Sequence, residues 1–467
     1  MTASAHIQAS TRNPFSDGLI ACGFAGWSVI LVLTWVMSKE VAVPLSVATV
    51  ALGIVGLMVS RPVAVLYVLT ALGPFYDISR AFIFPGVELV GFWQDALVAI
   101  LWIAAIRNIS RRGLPKLIWL DWLVLGFIAA YAFSVVVSAD SRVWFYGFRW
   151  FVLYPSMYLA LRGLEFSEKQ QTRMMALLAG SLIASAIIGL LAMWYLGWDA
   201  AAELYHTLNL EIFSRDDQWR WAATFSNPII ASSAFALLFL LFAGLSNFTK
   251  RRGLCLWGCG FAAVCLYLTH SRSGIVIAAV GSLVMLFAAK SRYARPLLAV
   301  AVVASMVLAI QIVRSFDEWD DLRLQQFTRT VEEAFTTYPL GTGAGTAGAV
   351  SMAAASFAGQ DASSVDTVVG DSVILTVLRD TGWVGAFFFV GACISVIALS
   401  WRARGTWIGI VALGFWTGSF VNLMNSTDVY PTKFYLWLFA ALVAGWVPGR
   451  RDSRSKSAPS SNRRGVF

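Results

Sequence analysis

Residues 254–289 read LCLWGCGFAAVCLYLTHSRSGIVIAAVGSLVMLFAA. Two apolar runs, 254–270 and 273–289, meet at a short polar turn that holds His270, Ser271, Arg272 and Ser273. A helix that crosses a bilayer needs about 20 mostly apolar residues, and each run approaches that length. The stretch therefore reads as a hairpin of two membrane helices. Ionisable groups in or at the lip of a bilayer are costly, so they default to a functional reading. Arg272 is the first candidate on that ground.

The rest of the chain follows the same pattern. Of 467 residues, 58% are hydrophobic, 14% aromatic and 13% charged, with mean hydropathy +0.70. Soluble domains carry about 25% charged residues. Lipid is thus the main solvent for most of the chain. Further apolar runs occur at 18–37, 41–60, 62–76, 90–106, 118–138, 144–162, 174–195, 227–247, 296–313, 382–400, 407–424 and 432–448. The expected fold is an all-α polytopic membrane protein of about 12–14 transmembrane helices. Residues 1–17 form an N-terminal tail, 18–448 one transmembrane domain, and 449–467 a basic, Ser-rich tail expected to be disordered. The N-terminus carries no short apolar stretch with a small-residue cleavage site, so no cleaved signal is expected.

Charge sets the expected orientation. One alternating set of loops, together with both tails, holds 23 of the 35 Lys and Arg residues and 4 of the 26 acids. By the positive-inside rule that side is cytoplasmic, with both termini. The net charge of +9 is then a topology signal and not a nucleic-acid footprint. Two loops on the outer side are long, 196–226 and 314–381. Loops of this length are either functional or disordered. In the second, Leu322, Phe327, Val331 and Phe335 share a helical face, and the small, polar residues near 347–366 read as a mobile segment or lid.

Several outer-side residues could carry chemistry. Arg142, Arg149, Arg215, Arg220, Arg272, Arg323, Arg329 and Arg379 run against the positive-inside bias. Each alone reads as a snorkelling or acid-paired interface arginine. Gathered together they would form a guanidinium pocket suited to a lipid-linked diphosphate, because arginine offers planar, permanently charged donor pairs. YPLGTGAGT (338–346) is either a tight irregular connection or a turn whose Gly341 and Gly343 bring backbone N–H groups to a phosphate or sugar. No strand precedes it, so a dinucleotide-binding reading fails. Asp371 precedes an apolar run and reads either as a helix-entry acid or as a base for a sugar hydroxyl, with Glu332, Glu333 and Asp366 as rivals. His206 and His270 also lie on this side. Asn227-Pro228 is ordinary helix-entry chemistry. The five cysteines, Cys22, Cys255, Cys259, Cys265 and Cys393, sit in apolar runs without metal-ligand spacing.

The segments FRWFVLYPSMYLAL, TFSNPIIAS, LTHSRSGIVIA, RTVEEAFTTYPLGTGAGT and GDSVILTVLRDTGWVG occur in that order. In order and spacing they resemble the O-antigen ligase/polymerase superfamily, most of all the Wzy-type exopolysaccharide polymerases. The resemblance implies an essential arginine at the outer end of a span, matched by Arg272 with Val276 following. It implies a second arginine in the long outer loop, for which Arg323 and Arg329 compete. Ser372, Gly382 and Gly385 fit the ligase pattern, whereas its histidine position holds Asp371. The implied activity is a metal-independent glycosyltransferase of the bacterial inner membrane with no cofactor. It would join a glycan from undecaprenyl diphosphate to a hydroxyl of another lipid-linked repeat, with inversion. Asp371 and Arg272 would be catalytic, and Arg323, Arg329, Arg149, Arg220, Arg379, His270, Gly341 and Gly343 would bind substrate. A flippase and a chain-length regulator would act in the same pathway. The rival readings are a ligase with a lipid A core or protein acceptor, and a transporter of the lipid-linked glycan; no internal repeat supports the last.

Overall fold

The computed structural model describes residues 56, 58–76, 93–197, 214–215, 218–225, 227–288, 319–359, 372–423 and 432–445. The chain divides into two units, Met1–Pro62 and Val63–Phe467, and the description below concerns the second. The expected segments 18–37 and 296–313, most of 41–60, and both tails lie outside the described residues.

Helix entries written in the sequence set where the elements begin. Asn227 Oδ1 accepts the N–H of Ile229 at 2.8 Å, and Pro228 takes the first helical position. A cap of this kind contributes about 1 kcal/mol. Asp140 and Ser167 cap two other helices in the same way. The helices are α1 (Pro62–Leu72), α2 (Trp93–Arg112), α3 (Trp119–Phe133), α4 (Ser141–Arg162), α5 (Glu168–Leu196), α6 (Pro228–Leu245) and α7 (Arg252–Leu268). They continue with α8 (Arg272–Ala288), α9 (Trp319–Thr336), α10 (Ala349–Ala358), α11 (Val373–Arg402), α12 (Trp407–Leu423) and α13 (Thr432–Ala444). Among the described residues the only strands are two-residue pieces, Ser214–Arg215 and Gln218–Trp219, paired antiparallel inside the first long loop.

The protein is therefore helical and of membrane type. Among the described residues four helical stretches are long and apolar enough to cross a bilayer: Trp119–Val136, Glu168–Tyr195, Pro228–Leu245 and Val373–Arg402. Five shorter apolar helices accompany them. α6 is the central element, buried along almost its whole length against α7, α8 and α12. α4 packs on α2, α3, α10 and α13, and α11 packs on α3 and α12.

Glycines bring α8 and α12 into backbone contact. A Cβ on Gly281 would fall 2.7 Å from the Gly414 carbonyl oxygen, and one on Gly418 would fall 2.4 Å from that of Ile277. Lipid tails are as apolar as side chains, so helix association in a bilayer relies on such close approach. These pairs also define an antiparallel register in which 414 lies opposite 281 and 418 opposite 277.

One end of the bundle is basic, with Arg107, Arg111, Arg112, Lys116, Lys169, Arg173, Arg402 and Arg404. There Asp121, fully buried, accepts from Arg162 Nε at 3.0 Å and Tyr158 OH at 2.5 Å. Arg162 Nη2 also donates to the Lys116 carbonyl at 3.0 Å. A buried carboxylate is tolerable when its oxygens are satisfied in this way. The opposite end gathers the starts of α4, α6, α8, α11 and α13. The expected mobile segment after residue 347 differs from the reading above: Ala349–Ala358 is helical and packs on α4, because its alanines present a small, apolar face.

Candidate functional site

At the end opposite the basic one, two sets of contacts tie the quoted motifs together. The first joins the glycine-rich turn to a break in α11. Gly382 has φ 64° and ψ −164°, so the helix is interrupted there. An interruption frees carbonyls that an intact helix would use. The turn supplies the missing donors: Thr342 N–H reaches the Arg379 carbonyl at 2.7 Å, and Gly343 N–H reaches that of Asp380 at 3.1 Å. In return Trp383 N–H donates to the Pro339 carbonyl at 3.3 Å. The fit needs glycine on both sides. A Cβ on Gly341 would lie 2.5 Å from the Asp380 carbonyl oxygen, and one on Gly382 would lie 2.2 Å from that of Pro339.

The same turn encloses an anion, which is the Asp380 carboxylate. Asp380 is fully buried. It accepts from Gly345 N–H at 3.1 Å, Thr346 Oγ1 at 3.4 Å and Tyr131 OH at 3.5 Å, with the backbone N–H groups of Thr346 and Ala347 also donating. Successive N–H groups pointing into one concavity form an anion nest. Lys433, at the start of α13, is buried with Nζ 4.2 Å from the Phe151 ring centre, and Asp380 acts on it electrostatically. Lys433 and Phe151 also line a cavity of about 20 Å³, room for roughly one water, with Pro155, Trp416 and Trp437. α4 closes the arrangement: a Cβ on Gly147 would lie 2.1 Å from Gly345 N.

The second set surrounds Arg272. Trp221 N–H donates to the Leu268 carbonyl at 3.1 Å, and the Trp221 ring stacks on Phe235 at 5.3 Å. Thr224 is held by Pro74 and Ser185. This seats Arg220 beside the polar turn, where its charge acts on His270. His270 has φ 44°, a left-handed conformation. Ser232 Oγ on α6 donates to Ser271 Oγ at 3.0 Å and accepts Gly274 N–H at 3.1 Å, so α6 completes the N-terminus of α8. Ser372, the N-cap of α11, donates to the Leu423 carbonyl at 3.2 Å at the end of α12. The first turns of α11, from Ser372 to Asp380, thus join the end of α12 to the glycine-rich turn.

The expected site residues distribute as follows. Arg220, His270 and Arg272 come together, and Arg379 is half-buried on the segment of α11 that grips the turn. Arg149 is engaged elsewhere: it holds Asp95 on α2 with two bonds, 2.6 and 2.5 Å. Arg329 is exposed and pairs with Glu333 at 2.8 Å along α9, a solvated helix face. Arg323 belongs to α9, and nothing of its side chain is described. Asp371, like Asp366 and His206, lies outside the described residues. Gly341 N–H donates to the Tyr338 carbonyl and Gly343 N–H to that of Asp380, so both donors are already used within the protein. The two glycines shape the site; they do not present these N–H groups to a substrate phosphate.

Sequence reading missed Asp380 and Lys433. Asp380 stood inside the quoted RDTGWVG segment, but its hydrogen-bond partners Thr346, Gly345 and Tyr131 lie 34, 35 and 249 positions away in the chain. The chemistry available at this end is anion binding: helix N-termini carry partial positive charge, and Arg220 and Arg272 add full charges. No family model and no curated protein matches the chain.

Proposed function

We propose that the chain is an inner-membrane glycan polymerase with about 12–14 spans and cytoplasmic termini. It would take an undecaprenyl-diphosphate-linked oligosaccharide and join it to a hydroxyl of another lipid-linked repeat at the periplasmic face. One observation carries this reading. Four of the five segments of the resemblance are joined in pairs by hydrogen bonds at one end of the bundle, the Asn227-Pro228 segment to the Arg272 segment and the glycine-rich turn to the start of α11. That end carries Arg220 and Arg272, which would neutralise the diphosphate as it leaves. Asp371 would orient or deprotonate the acceptor hydroxyl. The Asp380 side chain is fully buried and held by Gly345, Thr346 and Tyr131, so its role is structural.

Deletion of the gene in its host tests the reading. Single repeat units should accumulate on the carrier lipid, and Arg272→Ala should reproduce that result with the protein still in the membrane. Accumulation of full-length lipid-linked polymer would identify a ligase instead.

The break in α11 and the buried Asp380 and Lys433 favour a second reading, a transporter. Interrupted helices and intramembrane charges are features of transport sites. Purified protein that moves lipid-linked glycan across liposomes and forms no glycosidic bond would establish it in place of the polymerase.

A further inference from the structure

The α8/α12 register places one more polar group beside Arg272. Residues 414 and 418 lie opposite 281 and 277, and 422 continues the same face one turn on. Asn422 therefore stands opposite residue 273, in the first turn of α8. It is 2% exposed, and its Nδ2 has no hydrogen-bond partner among the described residues. One turn deeper, Ser419 is fully buried and its Oγ is also without a partner among them. The neighbouring caps are complete: Ser232 serves Gly274, and Ser372 serves Leu423. Among the described residues the Asn422 amide is left over from the structural bonding of this corner.

A buried donor without a partner is costly, and one that persists calls for a ligand, ion or water. The local field selects the sign of the ligand. The N-terminus of α8 is a positive dipole end, Arg272 begins that helix, and Arg220 lies near the same turn. An anion whose oxygens accept from several donors fits this corner. We propose that Asn422 is a phosphate-binding residue. Its amide donates to an oxygen of the phosphate that the α8 N-terminus and Arg272 attract. The proposal rests on the polymerase reading only for the identity of the carrier lipid. The site itself requires a phosphate or diphosphate, either on a lipid headgroup or free.

The test uses the full-length protein in detergent, with farnesyl diphosphate, inorganic diphosphate and farnesol as probes. Binding is read by calorimetric titration and melting by intrinsic fluorescence. Both phosphate compounds should bind and raise the melting temperature, and farnesol should not. Tighter binding of farnesyl diphosphate marks a lipid headgroup as the ligand, and equal binding marks a free anion.

Asn422→Leu and Asn422→Ala should weaken diphosphate binding about tenfold, equivalent to 1.4 kcal/mol. At least one of them should melt, without ligand, no lower than the wild type, because the orphaned donor is gone. Asn422→Asp, which sets a like charge against the phosphate, should weaken binding further. If all three variants bind as the wild type does while Arg272→Ala does not, the role of Asn422 is overturned and the polymerase reading stands. If both apolar variants melt lower and bind normally, Asn422 is a packing residue. If the wild type binds neither phosphate compound, the anion site as a whole is refuted.

Discussion

Asp380→Asn tests the junction of the glycine-rich turn with α11. The substitution keeps the shape of the side chain and removes its charge. The wild-type carboxylate is fully buried and receives Gly345 N–H at 3.1 Å, Thr346 Oγ1 at 3.4 Å and Tyr131 OH at 3.5 Å. An amide offers one oxygen, and its NH2 group must face at least one of these donors. A buried donor left unpaired costs about 1–3 kcal/mol. The surviving bonds lose their charge assistance, roughly another 1 kcal/mol. Lys433 loses the negative charge that acts on it, which shifts stability in the same direction.

A total near 3 kcal/mol should lower the melting temperature by about 5 °C, somewhat less per kcal/mol than in a shorter chain. The assay is thermal melting of purified, detergent-solubilised protein, with limited proteolysis to report on residues 341–348. Asp380→Glu keeps the charge but adds a methylene to a filled site, at a cost of about 1–3 kcal/mol. It should melt lower than wild type while leaving the turn protected. Asp380→Asn melting with the wild type, its turn equally resistant to protease, would refute the reasoning.

Two further outcomes follow from the geometry. Arg149→Leu should cost about 2–3 kcal/mol by leaving Asp95 partly buried without its partner; the two side chains are 16% and 22% exposed. Arg149→Leu with Asp95→Leu should regain most of that stability and, under the proposed polymerase function, polymer formation in cells as well; a stable double variant that makes no polymer would move Arg149 into substrate binding. His270→Gly relieves a left-handed residue at φ 44° and should leave stability within about 1 kcal/mol of wild type. Under the proposed polymerase function, polymer formation should fall about tenfold, ~1.4 kcal/mol of barrier; unchanged polymer would make His270 a turn residue only.

Local features of this chain were legible, and distant partnerships were not. Asn227-Pro228 announced a helix start because a cap needs only residues two apart. The helical face of Leu322, Phe327, Val331 and Phe335 became α9, where Val331 packs on Ala334 and Leu378 and Phe335 stacks on Trp383 at 4.2 Å. Cys255 and Cys259 lie on the buried side of α7, as small apolar residues should. The glycine-rich turn was legible as a turn, but its anion was assigned to a substrate. The donors of residues 345–347 point to a carboxyl group on another helix, and no local pattern encodes that pairing. Arg149 looked like part of a guanidinium pocket for the same reason: its partner Asp95 is 54 positions away.

The clasp between Thr342 and Arg379 fixes both ends of the intervening chain to a single helix. Closing a longer loop between fixed ends costs little, about 0.6 kcal/mol for each doubling of its length. α10 ends at Ala358 and is followed by Gly359, whose φ is 75° and around which an added Cβ would meet nothing within 4 Å. Gly359 itself is exposed and is therefore a place where length can change while the clasp holds. An epitope tag or a small foreign domain grafted there should be carried on the surface of a protein that otherwise assembles normally. A gene that acquires extra residues at this point could diversify what the protein meets outside the bundle without renegotiating the helices beneath.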